Sequence, residues 1–280
     1  IAAYGTLQNG QRVEALTKTA DLLLASGNNW AVERGATNAA LNRAEAVADP
    51  ARAVIDKRRA TADAAFTEAV AALRADGFPA SGLTEAEKNF ADIAALRKQV
   101  DSELAKPKAQ RDTAIVRGWV PNITNLIIAS QDIRGQLFEG IDLDGEATQL
   151  VSLKHFAWLM SEYAGRERAV MGGIIGGGKP VTSEKLSLLS GFRGRVEAAW
   201  KIIQGAASDE NMSGDVKSSV RTAATNYFGE FQEMRLQVYA AGTGSALYPV
   251  DGSAWINQAT NGINSLLAVN TAVAKAWAAY

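Results

Sequence analysis

The sequence has no cysteine and a single histidine, and its 29 lysines and arginines nearly balance 30 aspartates and glutamates. Without cysteine it cannot form disulfides, thiolate metal sites or thiol nucleophiles. Any Ser-His-Asp triad or multi-histidine metal site would have to use His155. The formal net charge of −1 argues against a nucleic-acid binder, which normally carries a basic face. No acidic cluster stands out either, so nothing in the composition indicates an enzyme.

Long apolar runs are also missing, since no window supplies the roughly 20 apolar residues that a membrane-spanning helix needs. The chain begins at Ile1 without an initiator methionine or a signal peptide. We therefore expect an excised fragment or a mature domain.

What is present predicts an all-α protein. Alanine, leucine, arginine, glutamate and glutamine dominate, and β-branched alternation is absent. Asp49-Pro50 should end the first helix and begin the second. Thr84 and Glu87 form a capping-box pattern that should open the third, and Pro107 should precede a fourth that runs to about Phe138. Four further helices are expected over about 146–175, 183–204, 214–240 and 253–280.

An internal repeat divides these helices into two sets of four. Glu33-Arg34 recurs as Glu167-Arg168 at an offset of 134 residues. The third helices align at an offset of 138 and the fourth near 136, where Trp119 matches Trp255. The sequence thus predicts two tandem four-helix bundles, residues 1–141 and 145–280, joined near Ile141 to Gly145.

Repeated arginines are the main candidates for a binding site, because they fall among the apolar positions of their helices and a buried guanidinium needs a partner. One interpretation is internal ion pairing, with Arg59 to Asp63 and Arg193 to Glu197 at i,i+4, and with Glu33 or Glu167 serving Arg34 or Arg168. The other is that a planar guanidinium binds a small anion between helices. The candidate arginines are Arg34, Arg59, Arg97, Arg168, Arg193 and Arg235.

Three further side chains are ligand-binding candidates. Asn38 lies four residues after Arg34 and shares its helix face. The indoles of Trp119 and Trp255 either pack in the core or line a pocket with their N–H groups. Thr124 and Thr260 are weaker candidates.

The run from Trp30 to Leu41, with its Glu-Arg-Gly, and the Arg-Glu-Arg-Ala-Val from Arg166 to Val170 resemble NIT-type sensor domains. These are nitrate- and nitrite-sensing-like helical domains of bacterial chemotaxis receptors and related transmembrane proteins. The helical bimodular sensors are similar in architecture. The resemblance covers most of the chain by layout, and it carries over family pocket residues only at Glu33, Arg34, Glu167 and Arg168.

The resemblance implies a periplasmic module between two membrane helices, so that Ile1 would continue out of one and Tyr280 would lead into the other. It implies a small, plausibly anionic ligand, a homodimeric receptor and signalling by helix displacement. We expect no enzymatic activity, metal or cofactor. The alternatives are a structural or protein-interaction bundle that senses through a binding protein, and an enzyme or metal-carrying bundle, which would normally have paired Glu-x-x-His ligands.

Overall fold

The computed structural model describes the backbone of residues 2–141, 143–245 and 247–279, and side chains from residue 11 to 277 except 142 and 246. Throughout this part of the chain the structure is helical and contains no strand, which confirms the predicted all-α fold. Ile1, Tyr280 and part of the expected connection at 141–145 lie outside the described residues. The helices are α1 (Ala2–Leu41), α2 (Asp49–Ala75), α3 (Ala80–Leu104), α4 (Thr113–Gln136), α5 (Gly145–Gly176), α6 (Ser183–Ala207), α7 (Gly214–Thr225), α8 (Phe231–Thr243) and α9 (Gly252–Ala279).

The chain divides into two compact units, Ile1–Ile141 and Asp142–Tyr280. In the first unit, α1 packs against α2 and α4, and α4 packs against α3. Aromatic side chains fill the space between α2 and α3, where the rings of Phe66 and Phe90 lie 5.0 Å apart. The first unit is therefore a four-helix bundle around the long helix α1.

The second unit repeats this arrangement around α5, which packs against α6 and α9, while α9 packs against α7. Trp200 and Phe228 stack at 4.3 Å, and they occupy the repeat positions of Phe66 and Phe90. A π-helical turn, Asn226–Glu230, joins α7 to α8. The helix predicted over 214–240 is therefore interrupted, and it extends to Thr243.

Helix ends follow local chemistry. Asp144 caps α5 by accepting a hydrogen bond from the Ala147 amide, and Asp112, Thr182 and Ser213 cap α4, α6 and α7 in the same way. The capping box predicted at Thr84 is wrong. Helix α3 already begins at Ala80, so the Thr84 hydroxyl donates to the Ala80 carbonyl inside the helix.

Helix α1 ends at Leu41, earlier than Asp49-Pro50 predicts. The buried Arg111 explains this end, because its guanidinium donates to the carbonyls of Ala40, Leu41 and Arg43 at 2.7–3.2 Å. It also donates to the carbonyls of Glu45 and Glu103. A guanidinium at the carboxyl end of a helix satisfies the last carbonyls and opposes the negative end of the helix dipole.

Among the described residues, no helix combines the length and the apolar character needed to cross a membrane.

Candidate functional site

The repeated Glu-Arg dipeptide lies in the middle of each central helix, and its two side chains point to different neighbours. Consecutive residues of an α-helix are separated by about 100°. In α1, Glu33 therefore faces α2 and α3, while Arg34 faces α4. Glu167 and Arg168 divide in the same way in α5.

Glu33 is the centre of a buried ion network in the first unit. Its carboxylate, 0% exposed, accepts from Arg97 at 2.6 and 2.9 Å and from Arg59 at 3.0 Å. Arg97 also binds Asp63 at 2.8 Å, and Arg59 forms a two-pronged contact with Asp101, both distances 3.1 Å. Every donor atom of the Arg97 guanidinium is thus used.

This network differs from the predicted i,i+4 pairing. Asp63 does not pair with Arg59, because it accepts from Arg97 and from the Trp30 indole at 3.0 Å. Burial lowers the pKa of Arg59, but the hydrogen bonds to Asp101 and Glu33 outweigh burial and raise that pKa above its ordinary value. Both Arg59 and Arg97 therefore serve as internal ion-pair partners.

The second unit keeps the central pair and changes its surroundings. Arg235 donates to Glu167 at 3.0 Å, and both side chains are almost fully buried. The Tyr239 hydroxyl donates to the other Glu167 oxygen at 2.8 Å. Arg235 also contacts Tyr227 and Gln232, yet its Nε atom is buried without a hydrogen-bond partner.

Neutral hydroxyls therefore take the place of carboxylates in this network. Burial, together with the charge of Glu167, raises the pKa of Tyr227 and of Tyr239 far above the ordinary value for tyrosine. Both phenols consequently stay protonated and act as hydrogen-bond donors or acceptors without charge. Arg193 forms the predicted i,i+4 pair with Glu197 at 2.6 Å, in a partly exposed position.

The arginines of the two dipeptides have matching environments. The Arg34 Nη1 donates to the Thr124 hydroxyl at 3.0 Å, and the Arg168 Nη1 donates to the Thr260 hydroxyl at 2.8 Å. The Trp119 indole donates to the Arg34 carbonyl at 3.1 Å, and the Trp255 indole donates to the Arg168 carbonyl at 3.0 Å. Each arginine is thus fixed at its backbone by tryptophan and at its guanidinium by threonine.

Comparison with known proteins identifies the family. The family model described as "Nitrate and nitrite sensing" (NIT) matches residues 28–278. The chain belongs to this family. The resemblance predicted from the Glu-Arg repeats is confirmed, and family membership makes the chain a sensory domain of signal transduction.

A solved structure with a related fold is that of the NasR transcription antiterminator, with a TM-score of 0.68 and 17% sequence identity. The match covers 98% of this chain and 71% of that chain. At this identity the likeness shows the shared fold. No curated protein matches this NIT chain.

Within the NIT fold, the nine predicted site residues form separate groups. Arg34 with Trp119, and Arg168 with Trp255, form the matched pairs, while Arg59, Arg97, Arg193 and Arg235 are ion-paired. The two indole N–H groups are taken by backbone carbonyls, so in this structure they position the arginines. Half-buried Asn38 accepts through its side-chain oxygen from Asn42, one turn along α1, at 3.5 Å.

Asp101, Tyr227 and Tyr239 are network members that sequence reasoning missed. The offset of 138 residues aligns Asp101 with Tyr239 in the repeat, so the repeat alignment could have identified this pair of positions. Tyr227 gave no signal beyond its apolar periodicity.

An open groove of about 950 Å³ lies at one end of the second unit, between the start of α5 and the end of α6. Its lining contains Glu146, Lys201 and Asp209 and none of the predicted site residues. In the described part of the chain, no group of histidine and carboxylate side chains could hold a metal ion.

Proposed function

We propose that this chain is the extracytoplasmic sensor domain of a bacterial transmembrane chemoreceptor, and that it binds nitrate, nitrite or a similarly sized anion at Arg34 or Arg168. Membership of the nitrate and nitrite sensing family supports the ligand class. The single observation that carries the site is the arginine–threonine–tryptophan arrangement, which occurs once in each unit.

The partners of the dipeptide glutamates support this choice of arginines. Glu33 is held by Arg59 and Arg97 on the opposite side of α1, and Glu167 is held by Arg235 and Tyr239. Neither carboxylate therefore neutralises the arginine next to it in sequence. A threonine hydroxyl orients each guanidinium.

The chemistry of nitrate fits such a guanidinium. The guanidinium is planar and presents its N–H donors in a fixed fork that matches two oxygens of a planar oxyanion. Burial between helices strengthens this charge-assisted contact. Binding signals only through a difference in affinity between two arrangements of the helices.

Thermal unfolding tests the ligand. Sodium nitrate and sodium nitrite are compared with sodium chloride at equal ionic strength, using the wild-type chain and the variants Arg34→Gln and Arg168→Gln. At 100 times its dissociation constant, a ligand stabilises the fold by about 2.7 kcal/mol, which raises the melting temperature by several degrees. We expect at least one variant to abolish this shift.

Arg221→Gln is the matched control, because Arg221 is exposed on α7 and belongs to neither pair. It should leave the nitrate shift intact. Equal melting temperatures in nitrate, nitrite and chloride would contradict direct sensing and favour a bundle that senses through a binding protein.

Cysteine labelling tests the extracytoplasmic location. Because these 280 residues contain no cysteine, Ser81→Cys at an exposed position of α3 introduces one defined thiol into the domain. The variant is made in the natural full-length protein, and the unsubstituted full-length protein is the control for thiols elsewhere. A membrane-impermeant maleimide should label this thiol in intact cells. Labelling only after lysis would contradict the proposed location. Cross-linking of the same thiol between two copies tests the homodimer that the family resemblance implies.

A further inference from the structure

Two arginines converge on one tyrosine ring in the second unit, away from the dipeptide arginines. The guanidinium carbon of Arg166 lies 4.7 Å from the centre of the Tyr163 ring, and that of Arg195 lies 4.5 Å from it. Tyr163 and Arg166 belong to α5, whereas Arg195 belongs to α6. Because both guanidinium carbons contact the same ring, the two positive charges lie within about 9 Å of each other.

One carboxylate serves this cluster. Arg166 binds Glu162 through Nε at 2.7 Å, while its buried Nη2 atom has no hydrogen-bond partner. Among the described residues, Arg195 forms no ion pair, and its own helix places Phe192 and Ala199 one turn away. The cluster therefore has one positive charge more than the carboxylate that contacts it can neutralise.

The surface beside the two arginines is open. A Cβ atom built on Gly165, next to Arg166, would meet no heavy atom within 4 Å, and the same holds for Gly194, next to Arg195. Arg195 itself is exposed. A small ligand can thus reach the Arg195 guanidinium from solvent, while the Arg166 side chain beside it is 14% exposed.

The first unit lacks this cluster. At the offset of 134 residues, Asn29 takes the place of Tyr163, Val32 that of Arg166 and Thr61 that of Arg195. Asn29 accepts a hydrogen bond from Arg58 instead. Because the first unit forms the same four-helix arrangement without these side chains, the fold does not require them.

The cluster is also separate from the Arg168–Thr260 pair. Arg166 and Arg168 are two residues apart on α5, so they point about 200° apart around the helix axis. Arg168 contacts α9 through Thr260, and Arg166 lies with Tyr163 and Arg195 on the side of α6.

We propose that Tyr163, Arg166 and Arg195 form a second anion site, which takes a doubly charged oxyanion of the hydrogenphosphate or sulfate class. Two adjacent guanidiniums favour two negative charges over one, and both can donate to different oxygens of a tetrahedral anion. Tyr163 contacts both guanidiniums and so limits how far apart they can lie. This site does not depend on nitrate binding at Arg34 or Arg168.

Isothermal titration calorimetry with inorganic phosphate, at constant ionic strength, tests this site in the 280-residue chain. We expect saturable binding in the wild type and, after loss of one charge-assisted contact, about tenfold weaker binding in Arg195→Gln. Tyr163→Phe keeps the ring and should bind as the wild type does, whereas Tyr163→Leu should bind more weakly. Sulfate should compete with phosphate, and nitrate should not.

Arg221→Gln, which removes an exposed arginine of α7, is the control for general loss of charge and should bind phosphate normally. The melting temperature of Arg195→Gln without phosphate should stay close to that of the wild type, because the exposed Arg195 has no ion pair to lose and its contact with the Tyr163 ring is weak. Unchanged phosphate affinity in Arg195→Gln, or no saturable binding by the wild type, would overturn the proposal.

Discussion

Replacing Arg97 by methionine should destabilise the first unit strongly. Arg97 contacts Glu33 at 2.6 Å, and the two side chains are 5% and 0% exposed. Removing one member of a buried ion pair strands the other charge and typically costs about 3–5 kcal/mol. Arg59 continues to bind Glu33 at 3.0 Å and Trp30 continues to bind Asp63, so we expect the lower end, about 3 kcal/mol.

Urea unfolding followed by tryptophan fluorescence measures this loss, since Trp30 and Trp119 are both buried in the first unit. Arg193→Met is the matched control. It breaks an i,i+4 pair whose side chains are 31% and 50% exposed, and such pairs contribute about 0.5 kcal/mol or less.

The double variant Arg97→Met with Glu33→Leu distinguishes two costs of removing Arg97. One is the lost attraction between Arg97 and Glu33, and the other is the burial of the Glu33 charge without its main partner. It leaves no unpaired carboxylate at Glu33, and Arg59 retains Asp101. It should therefore recover at least about 1 kcal/mol relative to Arg97→Met. A single Arg97→Met variant that loses less than about 1 kcal/mol, or a double variant less stable than the single one, would refute the reasoning.

Three other predictions concern stability. Arg111→Ala removes the donor to five backbone carbonyls and should lower the free energy of unfolding by about 3 kcal/mol. Amide hydrogen exchange at the end of α1 should become faster. Unchanged exchange there would contradict the role of Arg111 as a helix cap. Because burial raises the pKa of Tyr227 and Tyr239 in the folded state, their contribution to stability is complete below the unfolded-state value near 10 and is lost as pH rises above it. Urea unfolding between pH 9 and 11 should show this loss, and a loss of equal slope in the two Tyr→Phe variants would exclude these phenols as its source. Gly262→Ala should destabilise the second unit by about 1 kcal/mol, since the new Cβ would meet Tyr227 at 3.1 Å and Phe231 at 3.4 Å. Gly135→Ala meets open space in the last turn of α4 and should change the stability of the first unit by less than about 0.5 kcal/mol. Equal effects of the two substitutions in urea unfolding would show that packing at Gly262 is loose.

The fold could be predicted from the sequence, because helix periodicity and helix-breaking residues are local signals. Gly178, with φ of 59°, follows α5 at the end of a run of three glycines, Gly176–Gly178, which favours a helix end near the expected residue 175. The end of α1 could not be predicted from the sequence, because it depends on Arg111, which is 70 residues from Leu41 along the chain. The π-helical turn at Asn226–Glu230 contains Gly229, but one glycine within a periodic helix does not predict such a turn.

The candidate site was partly predictable. The repeat identified Glu33-Arg34 and Glu167-Arg168, and the weaker candidates Thr124 and Thr260 proved to contact the arginines. The sequence could not predict which of the six arginines form internal ion pairs, because this depends on which carboxylate reaches which guanidinium across helices. Asp63 illustrates this, since it pairs with Arg97 on another helix and not with its i,i+4 neighbour Arg59.

The contacts of the two units support descent from one four-helix ancestor. The Val47 amide donates to the Leu104 carbonyl at 2.9 Å, and the Val181 amide donates to the Gly242 carbonyl at 2.8 Å. These pairs are separated by the same offsets, 134 and 138 residues, that align the Glu-Arg dipeptides and the third helices. A backbone contact conserved at both offsets reflects a shared helix geometry and not a shared composition.

The inner networks then diverged in a way that bears on signalling. In the first unit, Glu33 is held by two arginines that are themselves tied to Asp63 and Asp101. In the second, Tyr239 replaces Asp101 by repeat position, and the Nε atom of Arg235 has no partner. Separating α5 from α8 therefore breaks one ion pair and one tyrosine–carboxylate hydrogen bond. Separating α1 from α2 and α3 breaks three hydrogen bonds between Glu33 and arginines and also the bond from Trp30 to Asp63. Bonds that involve charged groups are the stronger kind. Under the proposed mechanism, a helix displacement on ligand binding would thus meet less resistance inside the second unit than inside the first.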